Sequence, residues 1–210
     1  MRGIEYYRKK TKAMFFIVLF LCSFSSIGQD VLPPDLWYNG EITLGDSTSV
    51  VGKLKYDFQG NNLLLRHQGD IDGYTPQNFL NVHFSDSTGK ERFFVVKNIK
   101  NRNDFNVALF FEELIKGQIK LYTREEVVYY STGNMATQGF QSEIKRLLIY
   151  RYYFQKEKGE VYAFRSSRAQ VLKVLKEKKE EIKLFAKKNK LRYSSKIDLI
   201  KIFTYYNKLF

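Results

Sequence analysis

The stretch Val50 to Phe58, VVGKLKYDF, does most to limit the fold. Val51, Leu54, Tyr56 and Phe58 recur nearly every second residue, with Lys53 and Lys55 between most of them. A period of two belongs to a half-buried strand, with one face on a core and the other in water. Gly45-Asp46-Ser47 before it and Gly60-Asn61-Asn62 after it are turn clusters. With Trp37 to Leu44 on one side and Leu63 to His67 on the other, they predict an antiparallel meander of three strands.

The same rhythm continues. Asp70-Ile71-Asp72-Gly73 reads as a polar hairpin turn, and Tyr74 to Asn78 as another, since Pro76 breaks any strand there. Phe79 to Ser85 and Arg92 to Lys97 flank the hairpin signal Asp86-Ser87-Thr88-Gly89. Phe105 to Lys116, Gln118 to Thr123, Val127 to Ser131, Leu147 to Phe154 and Val161 to Phe164 are further candidate strands. Short strands at this spacing make an all-β sheet, sandwich or barrel. The 18 Phe and 15 Tyr suit its packed faces.

After Arg165 the period changes. Ser167 with Gln170 matches a capping box, and Val171, Val174, Leu175, Ile182 and Phe185 then fall near one helical face, interrupted by Lys178. This predicts one helix ending near Asn189. Ser195 with Asp198 opens a second, whose stripe is Leu199, Ile202, Phe203, Tyr206 and Leu209. The fold class is α+β: an antiparallel sheet, sandwich or partly open barrel, followed by two C-terminal helices. Residues 29–165 form the β domain and 166–210 a basic helical segment packed on or beside it.

Residues 1–28 read as a signal peptide. Arg2, Arg8, Lys9, Lys10 and Lys12 precede the apolar run Ala13 to Phe24, and small residues lead to a cleavage point near Gly28/Gln29. The apolar run is too short for the ~20 residues a spanning helix needs. The expectation is an exported protein, periplasmic or envelope-associated, with no transmembrane span in the mature chain. Cys22 is the single cysteine, so removing the signal leaves no thiol and excludes disulfides and cysteine ligands. Leu21 before it is not the small residue of a lipidation site.

Charge is uneven along the chain. Gln29 to Phe140 carries 11 Lys and Arg against 14 Asp and Glu, whereas Gln141 to Phe210 carries 19 against 7. Lys173, Lys176, Lys179, Lys183, Lys187 and Lys188 are the candidate contacts to an anionic surface. Export and the Lys-rich, Arg-poor balance argue against nucleic acid. Anionic lipid head groups, acidic glycans or an envelope protein are the expected partners.

Catalytic signals are weak. His67 and His83 sit in different candidate strands, with no compact third ligand, so no metal site or cofactor is expected. Strand alternation turns His83 to the wetter face and gives His67 the face of Leu63 and Leu65. Glu112-Glu113 and Glu125-Glu126 are sequence neighbours, so each pair points to opposite faces of a strand and is no acid/base pair. There is no nucleophile elbow and no phosphate loop. The expected role is non-catalytic binding or structure; the alternative is an envelope-acting hydrolase of unrecognised type.

Four stretches carry a resemblance. They are W-x-x-G-E-I-x-L at Trp37 to Leu44 with G-K-L-K-Y-D at Gly52 to Asp57, F-F-E-E-L-I-x-G-x-I-x-L-Y-x-R-E at Phe110 to Glu125, and K-I-D-L-I-K-I-F-x-Y-Y-N at Lys196 to Asn207. The chain resembles a group of uncharacterised exported bacterial proteins. The resemblance implies export and a strand-then-helix layout, and supplies no site residues.

Overall fold

The computed structural model describes residues 36–57, 60–101, 103–131, 144–157 and 159–210. The expected signal segment, 1–28 with Cys22, lies outside them. Ten strands follow one another: β1 (Tyr38–Leu44), β2 (Ser49–Asp57), β3 (Asn62–His67), β4 (Asp70–Tyr74), β5 (Phe79–Ser85), β6 (Glu91–Lys100), β7 (Asn106–Ile115), β8 (Ile119–Ser131), β9 (Ile144–Lys156) and β10 (Val161–Phe164). They form one open antiparallel sheet in the order β10-β9-β8-β7-β6-β5-β1-β2-β3-β4. Helices α1 (Arg168–Val174), α2 (Lys179–Lys188) and α3 (Lys196–Asn207) come last, so the class is α+β.

Three local expectations are corrected. Asp70 to Gly73 is not a turn but most of edge strand β4, paired with β3 from Leu63↔Tyr74 to His67↔Asp70. The turn is Gln68-Gly69, where both residues have positive φ (51° and 99°), as a two-residue hairpin demands. Gln118–Thr123 and Val127–Ser131 are not separate strands: β8 runs unbroken through Arg124-Glu125-Glu126 in register with β9. The single helix expected up to Asn189 is two. α1 stops at Leu175, a 3₁₀ turn spans Lys176–Lys178, and α2 begins at Lys179. A continuous helix would turn Lys178 toward the face of Val171, Val174 and Leu175. Beyond the 3₁₀ turn Ile182 is buried as expected, with Ala186 beside it in the core and Phe185 only half-buried.

The sheet curls, and the ring contacts show how. Tyr56 on β2 lies 5.2 Å from Phe94 on β6 and 6.1 Å from Phe110 on β7, although β1 and β5 stand between them in the sheet. Phe79 stacks on Phe110 at 4.7 Å, and Tyr38 and Phe94 flank Phe84 at 5.2 and 5.4 Å. These rings, with Ile42, Leu54, Leu63, Leu65 and Val82, are the core inside the curl. Phe111, next to Phe110, faces the opposite way and meets Tyr122 and Tyr153 in a second small core. Adjacent phenylalanines are both buried because the strand alternates and both faces of the sheet are covered there.

The helices cover β8–β10 on the inner face. Val171, Leu175, Ile182, Leu199, Ile202, Phe203 and Tyr206 are buried against Ile119, Leu121 and Tyr152. Ser167 and Ser195 cap α1 and α3, accepting from the backbone N–H of Gln170 and Asp198. No helix among the described residues is long and apolar enough to cross a membrane.

Candidate functional site

Four of the candidate lysines meet on one side of the α1–α2 segment. Lys173 on α1, Lys176 on the 3₁₀ turn, and Lys179 and Lys183 on α2 rim one surface groove with Arg168, floored in part by the buried Leu172. The groove is shallow and open, about 680 Å³ in volume, and no carboxylate lines it. Lys183 is tied to Glu180 at 2.7 Å. Lys187 and Lys188, in the last turn of α2, are exposed and do not line the groove. The structure thus brings four of the six expected lysines together and leaves two apart. Sequence reasoning missed Arg168, although Arg168, Leu172 and Lys176 recur at a spacing of four, the mark of one helical face.

A second polar constellation lies inside. Arg92 on β6 is 1% exposed and pairs with Glu112 on β7: Nη2 donates to Oε2 at 2.8 Å, and Nε lies 2.6 Å from Oε1 without hydrogen-bond geometry. The same Oε2 receives Lys196 Nζ, from the first residue of α3, at 3.0 Å. Glu125 on β8, also buried, stands 3.7 Å from Arg92 Nη2, close enough for attraction but too far for a hydrogen bond. Asp86 approaches Arg92 at 3.8 Å. Burial pushes the Glu125 carboxyl up to about 7; Glu112 adds to that, while Arg92, Lys196 and the Tyr150 hydroxyl oppose it. The alternation that separates Glu112 from Glu113 and Glu125 from Glu126 also puts Glu112 and Glu125 on one face. That closeness across β7 and β8 was invisible to neighbour-by-neighbour reading.

The histidines are elsewhere. His83 stacks on Phe93, with centroids 4.4 Å apart and planes 8° apart, and its Nε2 meets Glu91. Ser85 donates its hydroxyl to the same carboxylate. The Ser85 and His83 hydrogen bonds hold Glu91 below the usual carboxylate range. The carboxylate, not the imidazole, holds the hydroxyl, so the proton-abstracting arrangement of a serine nucleophile is not formed. His67 Nδ1 bonds the Val51 carbonyl oxygen at 2.8 Å. Among the described residues no group of three or more His, Cys, Asp or Glu is placed to hold a metal ion.

No family model, curated protein or solved structure matches the chain.

Proposed function

We propose that this chain is an exported, envelope-associated protein with a non-catalytic role, holding an anionic lipid surface against the α1–α2 groove. One observation carries the reading: Arg168, Lys173, Lys176, Lys179 and Lys183 converge on a groove that no acidic side chain lines. A cation near an anionic bilayer contributes about 1 kcal/mol. Several of them acting together are enough for peripheral, salt-sensitive attachment. The export part of the reading rests on the basic, apolar and small-residue segments before Gln29.

Sedimentation with phosphatidylglycerol vesicles tests it. The protein is expected to pellet with them at low salt, to be released at high salt, and to ignore phosphatidylcholine vesicles. Lys179→Glu with Lys183→Glu is expected to abolish pelleting. Equal binding to both lipids, or binding untouched by the double reversal, overturns the reading. Fractionation of cells expressing the full chain, with intact mass, checks export: the recovered species is expected to begin at Gln29.

A further inference from the structure

Beside the basic groove lies a second cleft, between the inner face of the β9–β10 hairpin and α1. Phe154, Tyr162, Phe164 and Val174 form its apolar wall, and Lys173 and Lys176 stand at its rim. It is open to solvent and spans about 500 Å³, within the range of small-molecule sites. The aromatic wall is built as a unit: Phe154 lies 5.8 Å from Tyr162 and 6.0 Å from Phe164. Tyr162 is 53% exposed, a large ring left in water at the mouth. Lys156 also lines the cleft but is engaged by Glu177. Lys173 and Lys176 are in no ion pair with any described residue, and no carboxylate lines the cleft.

We infer that this cleft binds a single-chain anionic amphiphile, its alkyl chain against Phe154, Tyr162 and Phe164 and its acidic head on Lys173 and Lys176. The wall decides against a sugar. A glycan needs several hydrogen-bonding partners around each ring, and between the lysines the cleft offers Gln170 and a Tyr162 hydroxyl already donated to Glu160. An alkyl chain needs none and gains from leaving water, about 0.8 kcal/mol for each buried methylene. Lys173 and Lys176 also line the α1–α2 groove, so the cleft opens beside the surface that faces lipid. The inference therefore deepens the anionic-lipid reading and rests on it for the source of the ligand.

Titration calorimetry of the protein purified from cells expressing the full chain tests this with three probes below any micellar concentration: dodecyl phosphate, dodecanol and inorganic phosphate. Dodecyl phosphate is expected to bind one per chain, roughly tenfold tighter than dodecanol, because two exposed cations together contribute that much. Inorganic phosphate is expected not to compete. Gln170→Trp, at an exposed cleft-lining position on α1 that does not line the α1–α2 groove, fills the space and is expected to abolish binding. Binding unchanged by Gln170→Trp, equal binding of dodecanol, or full competition by phosphate overturns the inference. The two readings fail separately. Gln170→Trp is expected to keep salt-sensitive binding to phosphatidylglycerol vesicles through Lys179 and Lys183, so loss of that binding in the unaltered protein would sink the surface reading alone.

Discussion

Lys196 Nζ and Glu112 Oε2 are 3.0 Å apart across 84 residues of chain, and both side chains are more than nine-tenths buried. This contact fastens the first residue of α3 to the middle of the sheet. Glu112 is also the ion-pair and hydrogen-bond partner of Arg92, so one carboxylate serves two cations from two different layers. Glu112→Ala would leave Arg92 buried without its main counter-charge. The expected cost is about 3–5 kcal/mol. Lys196→Met, which leaves the Arg92–Glu112 pair intact, is expected to cost about 1–3 kcal/mol. Urea unfolding of both variants checks the order; equal losses would mean that Glu112 acts through Lys196 alone.

Glu125 makes stability fall as pH rises. Its folded carboxyl is raised from 4.5 to about 7, chiefly by burial. The folded chain therefore holds a proton that the unfolded chain has already released. The associated stability is fully present below about pH 4.5 and is lost as pH rises through about 7. The difference is on the order of 3 kcal/mol. Glu125→Gln is expected to raise the urea midpoint at pH 8 and to flatten its slope between pH 5.5 and 8. A variant as pH-dependent as the parent would place the buried proton on another group.

Asn61 closes the curl. It sits in the β2–β3 turn with φ 54°, and its Nδ2 donates to the Ala108 carbonyl oxygen while Oδ1 accepts from the Phe110 amide. Arg124 Nη1 on β8 donates to the same Oδ1 at 2.9 Å. Here β7 has left β8, since their pairing runs only over Glu112–Ile115, so the turn fills a gap in the ladder. Asn61→Gly keeps the left-handed backbone and removes these bonds, which isolates them from strain. The expected loss is about 1–3 kcal/mol, with faster hydrogen exchange at the Phe110 amide. Unchanged exchange there would show that the closure does not depend on this side chain.

These three relationships were the least legible in the sequence, for one reason. Alternation along Leu54 and Tyr56 or Phe79 to Ser85 is local, and so are the caps at Ser167 and Ser195. Strand existence, the helical tail and the α+β class follow from them. What Arg92, Glu112, Glu125 and Lys196 share is position after folding, set by strand order and by the bulge between Glu113 and Ile115. Charge also misled locally. Asp70 and Asp72 imitated a turn in an exposed edge strand, and Arg124-Glu125-Glu126 imitated a break in β8, although Glu125 faces inward. The candidate lysines were legible as residue types. That Lys176, Lys179 and Lys183 share a face with Arg168 was open to a spacing argument, since with Leu172 these positions recur every three or four residues.

Gly117 and Asn207 join the β7–β8 turn to the end of α3. Asn207 Oδ1 accepts from the Ile119 amide at 2.9 Å, and Nδ2 donates to the carbonyl oxygens of Ile119 and Lys116 at 2.9 and 3.3 Å. Gly117 has φ 144°, and a Cβ there would lie 2.5 Å from Asn207 Nδ2. Gly117→Ala therefore suffers twice, from a backbone that side-chain-bearing residues resist and from a collision with the amide that holds the helix. The expected destabilisation is about 2–4 kcal/mol, larger than a surface substitution gives. In the double variant Gly117→Ala with Asn207→Gly, the collision is gone, and the backbone penalty and the lost Asn207 hydrogen bonds remain. The two losses are expected to be less than additive by about 1 kcal/mol or more. Strict additivity in a thermodynamic cycle would show that the turn and the end of α3 are not coupled through this contact.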